Sequence, residues 1–274
     1  MNLPASFQFS QSSLQDFIDC PRRFELRYFL RVKWPALVSE PVIEFEHHIQ
    51  QGVAFHQMVQ QFLSGVPVDK ITASSQDFDL AAWWHNFVSS APTQKYTGQT
   101  YPEYRLSIPF LGYRLVAQYD LIIKEISGAL VIFDWKTSRA HPRKNGVLNK
   151  AQSRLYPFLL VEAGLRSVNV SPDQVKMIYW YPNFPSQPDE ILYNQAQYLL
   201  DKAFIHDTVN AILEMPSGMF GLTPNLKACA FCNFRSLCSR GEKAGDMADM
   251  EDEDVVQPDL PADLDFNSLP EIQF

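Results

Sequence analysis

The chain has 274 residues, 46% hydrophobic and 20% charged, a balance that excludes a collagen-like, coiled-coil or largely disordered chain and suits one large domain or two small ones. Lys and Arg number 23 against 31 Asp and Glu, a net charge of −8 that, taken whole, argues against a polyanionic partner. The charge is uneven: residues 242–274 carry eleven acids and one base, which leaves 22 bases against 20 acids in residues 1–241. No run approaches the ~18 apolar residues of a membrane span, and the polar start (Asn2, Gln8, Ser10, Gln11, Ser12) lacks a basic-then-apolar leader, so a cytoplasmic protein with no membrane partner is expected.

Ser12 or Ser13 is placed to cap a helix that carries Leu14, Phe17 and Ile18; Pro21 and a basic, aromatic run with Arg22, Arg23, Arg27 and Arg31 follow. Residues 44–64 repeat apolar positions near a 3.6-residue period and are expected to be helical, as are Leu80–Val88. Tyr104–Lys124 reads as two strands turning at Leu111-Gly112, and Ala129–Lys136 as a third. A helix over 151–164, a strand over Val175–Tyr181 ended by Pro182 and a long helix over Asn194–Met215 complete the α/β pattern. The expected organisation is a single domain over 1–241, with a helical insertion at about 44–100, a catalytic sheet with its helices at about 101–215 and a cysteine region at 216–241 joined to Cys20. The acidic, aromatic-poor stretch 242–274 is expected to be a disordered tail.

The segment from Arg114 to Thr137 is the most informative. If its two strands pair about Ser127, opposite positions sum to 254, so Asp120 faces Asp134, and the two-residue alternation puts Asp120, Asp134 and Lys136 on one face. Two carboxylates opposed across a hairpin repel each other. A divalent cation such as Mg²⁺ would offset that repulsion, and Lys136 beside it would neutralise charge developing on a phosphate. Both acids interrupt apolar runs, Leu121-Ile122-Ile123 and Val131-Ile132-Phe133, which is not how solvent-facing surface pairs are distributed. The loop after Lys136 holds Arg139, Arg143, Lys144, Lys150 and Arg154 and no acid before Glu162, a footprint suited to a phosphate backbone. Glu103 precedes the strand pair, and its position relative to the acids is not readable from sequence. Trp83-Trp84 and Tyr179-Trp180-Tyr181 read as core aromatics rather than base-stacking platforms.

The four cysteines are Cys20, Cys229, Cys232 and Cys238, and the Cys229-x2-Cys232 spacing lets two thiolates share one centre. Zinc and an iron–sulfur cluster both accept four cysteines, so spacing leaves the choice open.

Asp120, about fourteen residues, then Asp134-x-Lys136 at a strand end resembles the PD-(D/E)XK nuclease superfamily. Gly52-Val-Ala-Phe-His56 and Gln152-x-x-x-Tyr156 are similar to the Gly-x-x-x-His and Gln-x-x-x-Tyr motifs of its RecB-like branch, and the cysteines to the staple of the iron–sulfur subgroup. That subgroup includes the nuclease of CRISPR spacer acquisition and AddB-type nuclease domains. Ala117, where the family often has Gly, Gln60 where related helices often carry an acid, and Pro157 directly after Tyr156 are departures.

The resemblance implies a restriction-endonuclease-like mixed sheet flanked by helices, with N- and C-terminal segments joined by a cysteine-ligated cluster. It implies Mg²⁺ or Mn²⁺ held by His56, Asp120, Asp134 and the Trp135 carbonyl, Lys136 as catalytic lysine, and Gln152 and Tyr156 positioning the lysine or the DNA. It also implies a [4Fe–4S] cluster on Cys20, Cys229, Cys232 and Cys238. The implied reaction is metal-dependent hydrolysis of DNA, as an exonuclease on single strands or ends in repair, recombination or CRISPR adaptation, with a helicase or CRISPR integrase proteins as partners. The alternative is a non-catalytic DNA-binding or docking subunit that keeps the fold.

Overall fold

The computed structural model describes residues 3–33, 40–72, 77–142, 144–166 and 168–241. In chain order the elements are β1 (Gln8–Phe9), α1 (Gln11–Asp19), α2 (Pro21–Phe24), a π turn (Glu25–Phe29), α3 (Glu40–Leu63), α4 (Val68–Thr72), α5 (Phe78–Ser90), β2 (Gly98–Phe110), β3 (Tyr113–Glu125), β4 (Leu130–Trp135), α6 (Lys144–Leu148), α7 (Ala151–Ala163), β5 (Val175–Trp180), β6 (Asp189–Leu192) and α8 (Gln195–Glu214). Short 3₁₀ turns lie between some of them. The expected acidic tail lies outside the described residues. The cap of α1 is Ser10, two or three residues before the expected Ser12 or Ser13: its Oγ accepts from Ser13 N–H, and Ser13 Oγ accepts from Ser10 N–H.

One mixed sheet runs β1-β3-β4-β5-β6, with β2 paired to β3. β3 and β4 are antiparallel in the expected register, from Leu121 opposite Phe133 to Lys124 opposite Leu130, while β4 and β5 run parallel. Helices cover both faces, which is why the central strands are apolar on both sides. On one face Ile122, Ile132, Met177 and Tyr179 pack with Leu155, Phe158 and Leu159 of α7 and Ile205 and Val209 of α8. On the other, Leu121, Val131, Phe133, Trp135 and Trp180 pack with Phe55 and Val59 of α3 and Trp83, Trp84 and Phe87 of α5. Trp83, Trp84, Tyr179, Trp180 and Tyr181 are all buried core residues. A Leu, Ile or Phe buried this fully contributes about 1.5–3 kcal/mol.

The alternation breaks at one place. Leu115, Ala117 and Tyr119 share a face with Ile122, not with Leu121, so β3 changes phase at Asp120. Opposite Asp120 in β2 is Glu103, flanked by the pairs Tyr104–Tyr119 and Pro102–Leu121, and Glu103 holds a left-handed backbone with φ 48°. The crease takes Asp120 out of the apolar alternation and sets it at the end of the β3–β4 ladder.

The N- and C-terminal segments do meet, but no cysteine cluster joins them, contrary to the expected architecture. Arg22 N–H donates to Gly221 O at 3.1 Å, Gly218 N–H donates to Glu25 Oε1 at 2.8 Å, and the Phe24 and Phe220 rings stack 6.3 Å apart. Backbone hydrogen bonds and aromatic packing close this corner.

Candidate active site

Asp134 is the penultimate residue of β4, and Lys136 is the first residue beyond it. Lys136 N–H donates to Trp180 O at 2.9 Å, which prolongs the parallel pairing by one residue and sends both side chains to the α7 face. There Lys136 Nζ lies 2.7 Å from Asp134 Oδ1. Gln152, in the first turn of α7, spans the pair: its Oε1 accepts from Lys136 Nζ at 2.8 Å and its Nε2 donates to Asp134 Oδ2. Tyr179, opposite Asp134 on β5, supports Lys136 with its ring at 5.5 Å.

Asp120 joins from β3. Where the backbone ladder stops, its Oδ2 accepts from Trp135 N–H at 2.9 Å, so a side chain replaces a strand carbonyl. His56 arrives from α3, with Nε2 at 2.9 Å from Trp135 O and Nδ1 at 3.4 Å from Asp120 Oδ1. Gly52, one turn earlier, allows this approach: a Cβ there would stand 2.9 Å from Thr137 Oγ1. Asp120, Asp134, Lys136, Gln152 and His56 are therefore brought together by β3, β4, α7 and α3.

The two carboxylates have opposite electrostatics. Burial and the neighbouring Asp120 charge outweigh Lys136 and push Asp134 up to about 6. For Asp120 burial is overcome by His56, the Trp135 N–H and Lys136, which hold it below the usual range. His56 is raised, because the Asp120 charge and hydrogen bond outweigh its burial. Both of its ring nitrogens face acceptors, an arrangement that suits the protonated ring.

Tyr156 sits one turn beyond Gln152 but is a core residue, 1% exposed, with its ring 4.9 Å from Tyr119 and its carbonyl accepting from Tyr119 Oη. Burial, with Asp134 and Asp120 nearby, pushes its hydroxyl well above the ordinary tyrosine range. Glu103 is also at the site: Gln118 Nε2 donates to its Oε2 at 2.6 Å, and burial and Asp120 raise its carboxyl. An acid embedded in a strand opposite the first Asp was the available signal for it. Of the basic loop, Arg139 is exposed, whereas Arg154 turns inward to Asp201 at 3.3 Å and the Phe204 ring at 4.3 Å, bracing α7 on α8. Arg143 and the Lys144 side chain lie outside the described residues.

The cysteine-cofactor expectation is corrected. Among the described residues no group of three or more His, Cys, Asp or Glu side chains is arranged to hold a metal ion. The expected [4Fe–4S] centre on Cys20, Cys229, Cys232 and Cys238 is thereby overturned: all four are free cysteines, Cys20 buried. Burial raises the thiols of Cys229, Cys232 and Cys238, and neighbouring cysteines add to it, which favours the thiol over the thiolate that binds metal. Among the described residues a Mg²⁺ or Mn²⁺ centre is not preassembled, since the His56 ring is engaged by Trp135 O and Asp120 and the Asp134 carboxylate by Lys136 and Gln152. Among the described residues no helix is long and apolar enough to cross a membrane.

No curated protein matches the chain. Among solved structures, a protein of Eubacterium rectale described as a candidate exonuclease is 11% identical, with TM-score 0.50 over 79% of this chain and 84% of the other. That likeness is one of fold. A protein designated SSO0001 is 17% identical, with TM-score 0.45 over 84% of this chain and 85% of the other. The model of the PD-(D/E)XK nuclease superfamily matches residues 8–239, a span that contains every element of the sheet and all the residues gathered around Asp120 and Asp134; the chain belongs to that superfamily.

Proposed function

We propose that the chain is a DNA nuclease that hydrolyses phosphodiester bonds with a divalent cation, acting on single strands or DNA ends. The observation that carries this reading is the buried pair Asp120 and Asp134 with Lys136 against it, in a chain of the nuclease superfamily. Two adjacent carboxylates under 10% exposed are costly to a fold and unnecessary to it, as expected of a site selected for chemistry.

The donor set is one of hard oxygens, the Asp120 and Asp134 carboxylates and the Trp135 carbonyl, so these residues fit a hard cation. Bound there, a divalent cation would supply phosphate polarisation and activation of water. Lys136, the partly exposed member of the group, places its ammonium where charge would develop on the phosphate oxygens. Gln152 holds Lys136 and Asp134 in one geometry, and His56 orients Asp120 and the Trp135 carbonyl. Asp120, held ionised, keeps a negative charge at the site across the neutral range.

The test is digestion of single- and double-stranded DNA labelled at either end, with Mg²⁺ added or chelated. Cation-dependent cutting that disappears in Asp134→Ala and Lys136→Ala is expected, and the label lost first gives polarity. DNA binding without turnover would favour the docking-subunit alternative.

A further inference from the structure

We propose that Asn183 is a positioning residue for the Lys136 side of this site, acting through the backbone carbonyl of Ser138. The proposal rests on the hydrolytic reading of the site. Beyond Lys136 the chain leaves β4 through Thr137 and Ser138, both buried. These two residues are held by a circuit of contacts drawn from three distant parts of the sequence. Asn183 Nδ2 donates to Ser138 O at 2.6 Å, and Trp83 Nε1 of α5 donates to Asn183 Oδ1 at 2.7 Å. The Trp83 ring meets the buried His48 ring edge-on at 5.8 Å, and His48 of α3 hydrogen-bonds the Thr137 backbone. Thr137, Ser138, Asn183, Trp83 and His48 thus close on one another around the exit of the catalytic strand.

The geometry gives Asn183 a specific task. A carboxamide is the side-chain group that accepts on one end and donates on the other; here it accepts from an indole N–H and donates to a carbonyl. Trp83 is itself aimed by the rings of His48 and Phe55, so the carboxamide is oriented before it meets Ser138. The same segment sets His56, because Thr137 Oγ1 abuts Gly52, one helical turn before it. Release of Ser138 O would therefore let Lys136 and the Trp135 carbonyl drift together. Asn183 itself is exposed, so water can replace its hydrogen bond at little cost in stability while the placement is lost.

A neighbouring bond provides the control. Asn86 Nδ2, also on α5, donates to Pro182 O at 2.9 Å and holds the same turn without touching Ser138. Steady-state cleavage of labelled single-stranded DNA is measured for wild type, Asn183→Ala, Asn183→Asp, Trp83→Phe and Asn86→Ala, together with melting temperature and amide exchange over residues 137–139. Asn183→Ala and Asn183→Asp, the latter facing Ser138 O with a carboxylate, are expected to lower kcat about tenfold with KM unchanged, in keeping with the cost of a small misplacement. Trp83→Phe is expected to fall between these and wild type, and Asn86→Ala to match wild-type kcat. Exchange over 137–139 should quicken in the Asn183 variants, less in Trp83→Phe and not in Asn86→Ala. Wild-type kcat in Asn183→Ala, an equal loss in Asn86→Ala, or unchanged exchange would overturn the proposal. If wild type cuts no DNA, the hydrolytic reading fails by itself, and the exchange data alone then decide whether Asn183 holds Ser138.

Discussion

The strand-end acids and the cysteine corner make an instructive pair, since both look like ligand sites in sequence and the fold treats them differently. At the end of β4 the chain buries two carboxylates and a lysine contact that the core does not need. At the corner around Cys20 and Cys229, backbone groups and rings are joined to partners, and burial raises the Cys229 and Cys232 thiols. Asp120 resists neutralisation beside His56, although burial lifts its neighbour Asp134 to about 6; thiols, with ordinary values already above neutrality, are kept neutral by burial. Residue type announces a candidate, but retained charge in a buried place distinguishes it.

Substitution at the strand end gives the largest separation of the two regions. Asp134→Ala and Lys136→Ala should lower cleavage by about 10²–10³-fold or more, whereas Cys232→Ser should leave it within about threefold. A cysteine variant as inactive as the Asp134 variant would erase the distinction, as would stoichiometric iron or zinc in the purified protein. Stability should divide the regions in the opposite sense. Phe24→Ala, at a fully buried ring stacked on Phe220, should cost about 3–5 kcal/mol in denaturant unfolding, and Cys229→Ser about 1 kcal/mol or less.

The Asp134 charge predicts a pH signature confined to the strand end. Its carboxyl stands at about 6 in the folded protein against 3.8 ordinarily, so the folded state binds more protons between those values. Stability then falls as pH rises through that window. Asp134→Asn should gain about 3 kcal/mol above pH 6 and nothing below about pH 4, while cleavage by wild type declines as pH drops through about 6. Equal stabilisation at both ends of the range would show that the buried charge is not the cause. The smallest effect is expected at Gly52→Ala, where the better helix former gains about 1 kcal/mol but its Cβ meets Thr137 Oγ1. A cleavage loss of about threefold is expected from displacing His56 by a fraction of an ångström, and Thr137→Ala in the same chain should restore it.

Several features of the site were legible from short-range pattern. Alternation and the Ser127 turn supplied the register that pairs Leu121 with Phe133, and the position of the two Asp residues inside apolar runs marked them as exceptional. The i,i+4 spacing of Gln152 and Tyr156 placed both on one helix, yet did not reveal that Gln152 bridges Lys136 and Asp134 while Tyr156 enters the core. Glu103 was visible as an acid without an address; its place depends on a left-handed backbone opposite Asp120, which breaks the alternation used to read strands. The α1 cap lay two or three residues early because Ser10 and Ser13 bond reciprocally, a choice among adjacent serines that composition does not make.

The order of the main elements, the β3–β4 register and the Asp-x-Lys strand end follow from the sequence by itself, because apolar periodicity and turn chemistry act over a few residues and survive without knowledge of what lies across the fold. Tertiary structure alone decided that the cysteines remain thiols, that His56 lies between Asp120 and the Trp135 carbonyl, and that Trp83 and Asn183 reach the loop leaving β4. Each of these depends on burial or on a hydrogen-bond partner contributed by a segment tens of residues away. Protonation and partnership are properties of the assembled surroundings, which no local pattern encodes.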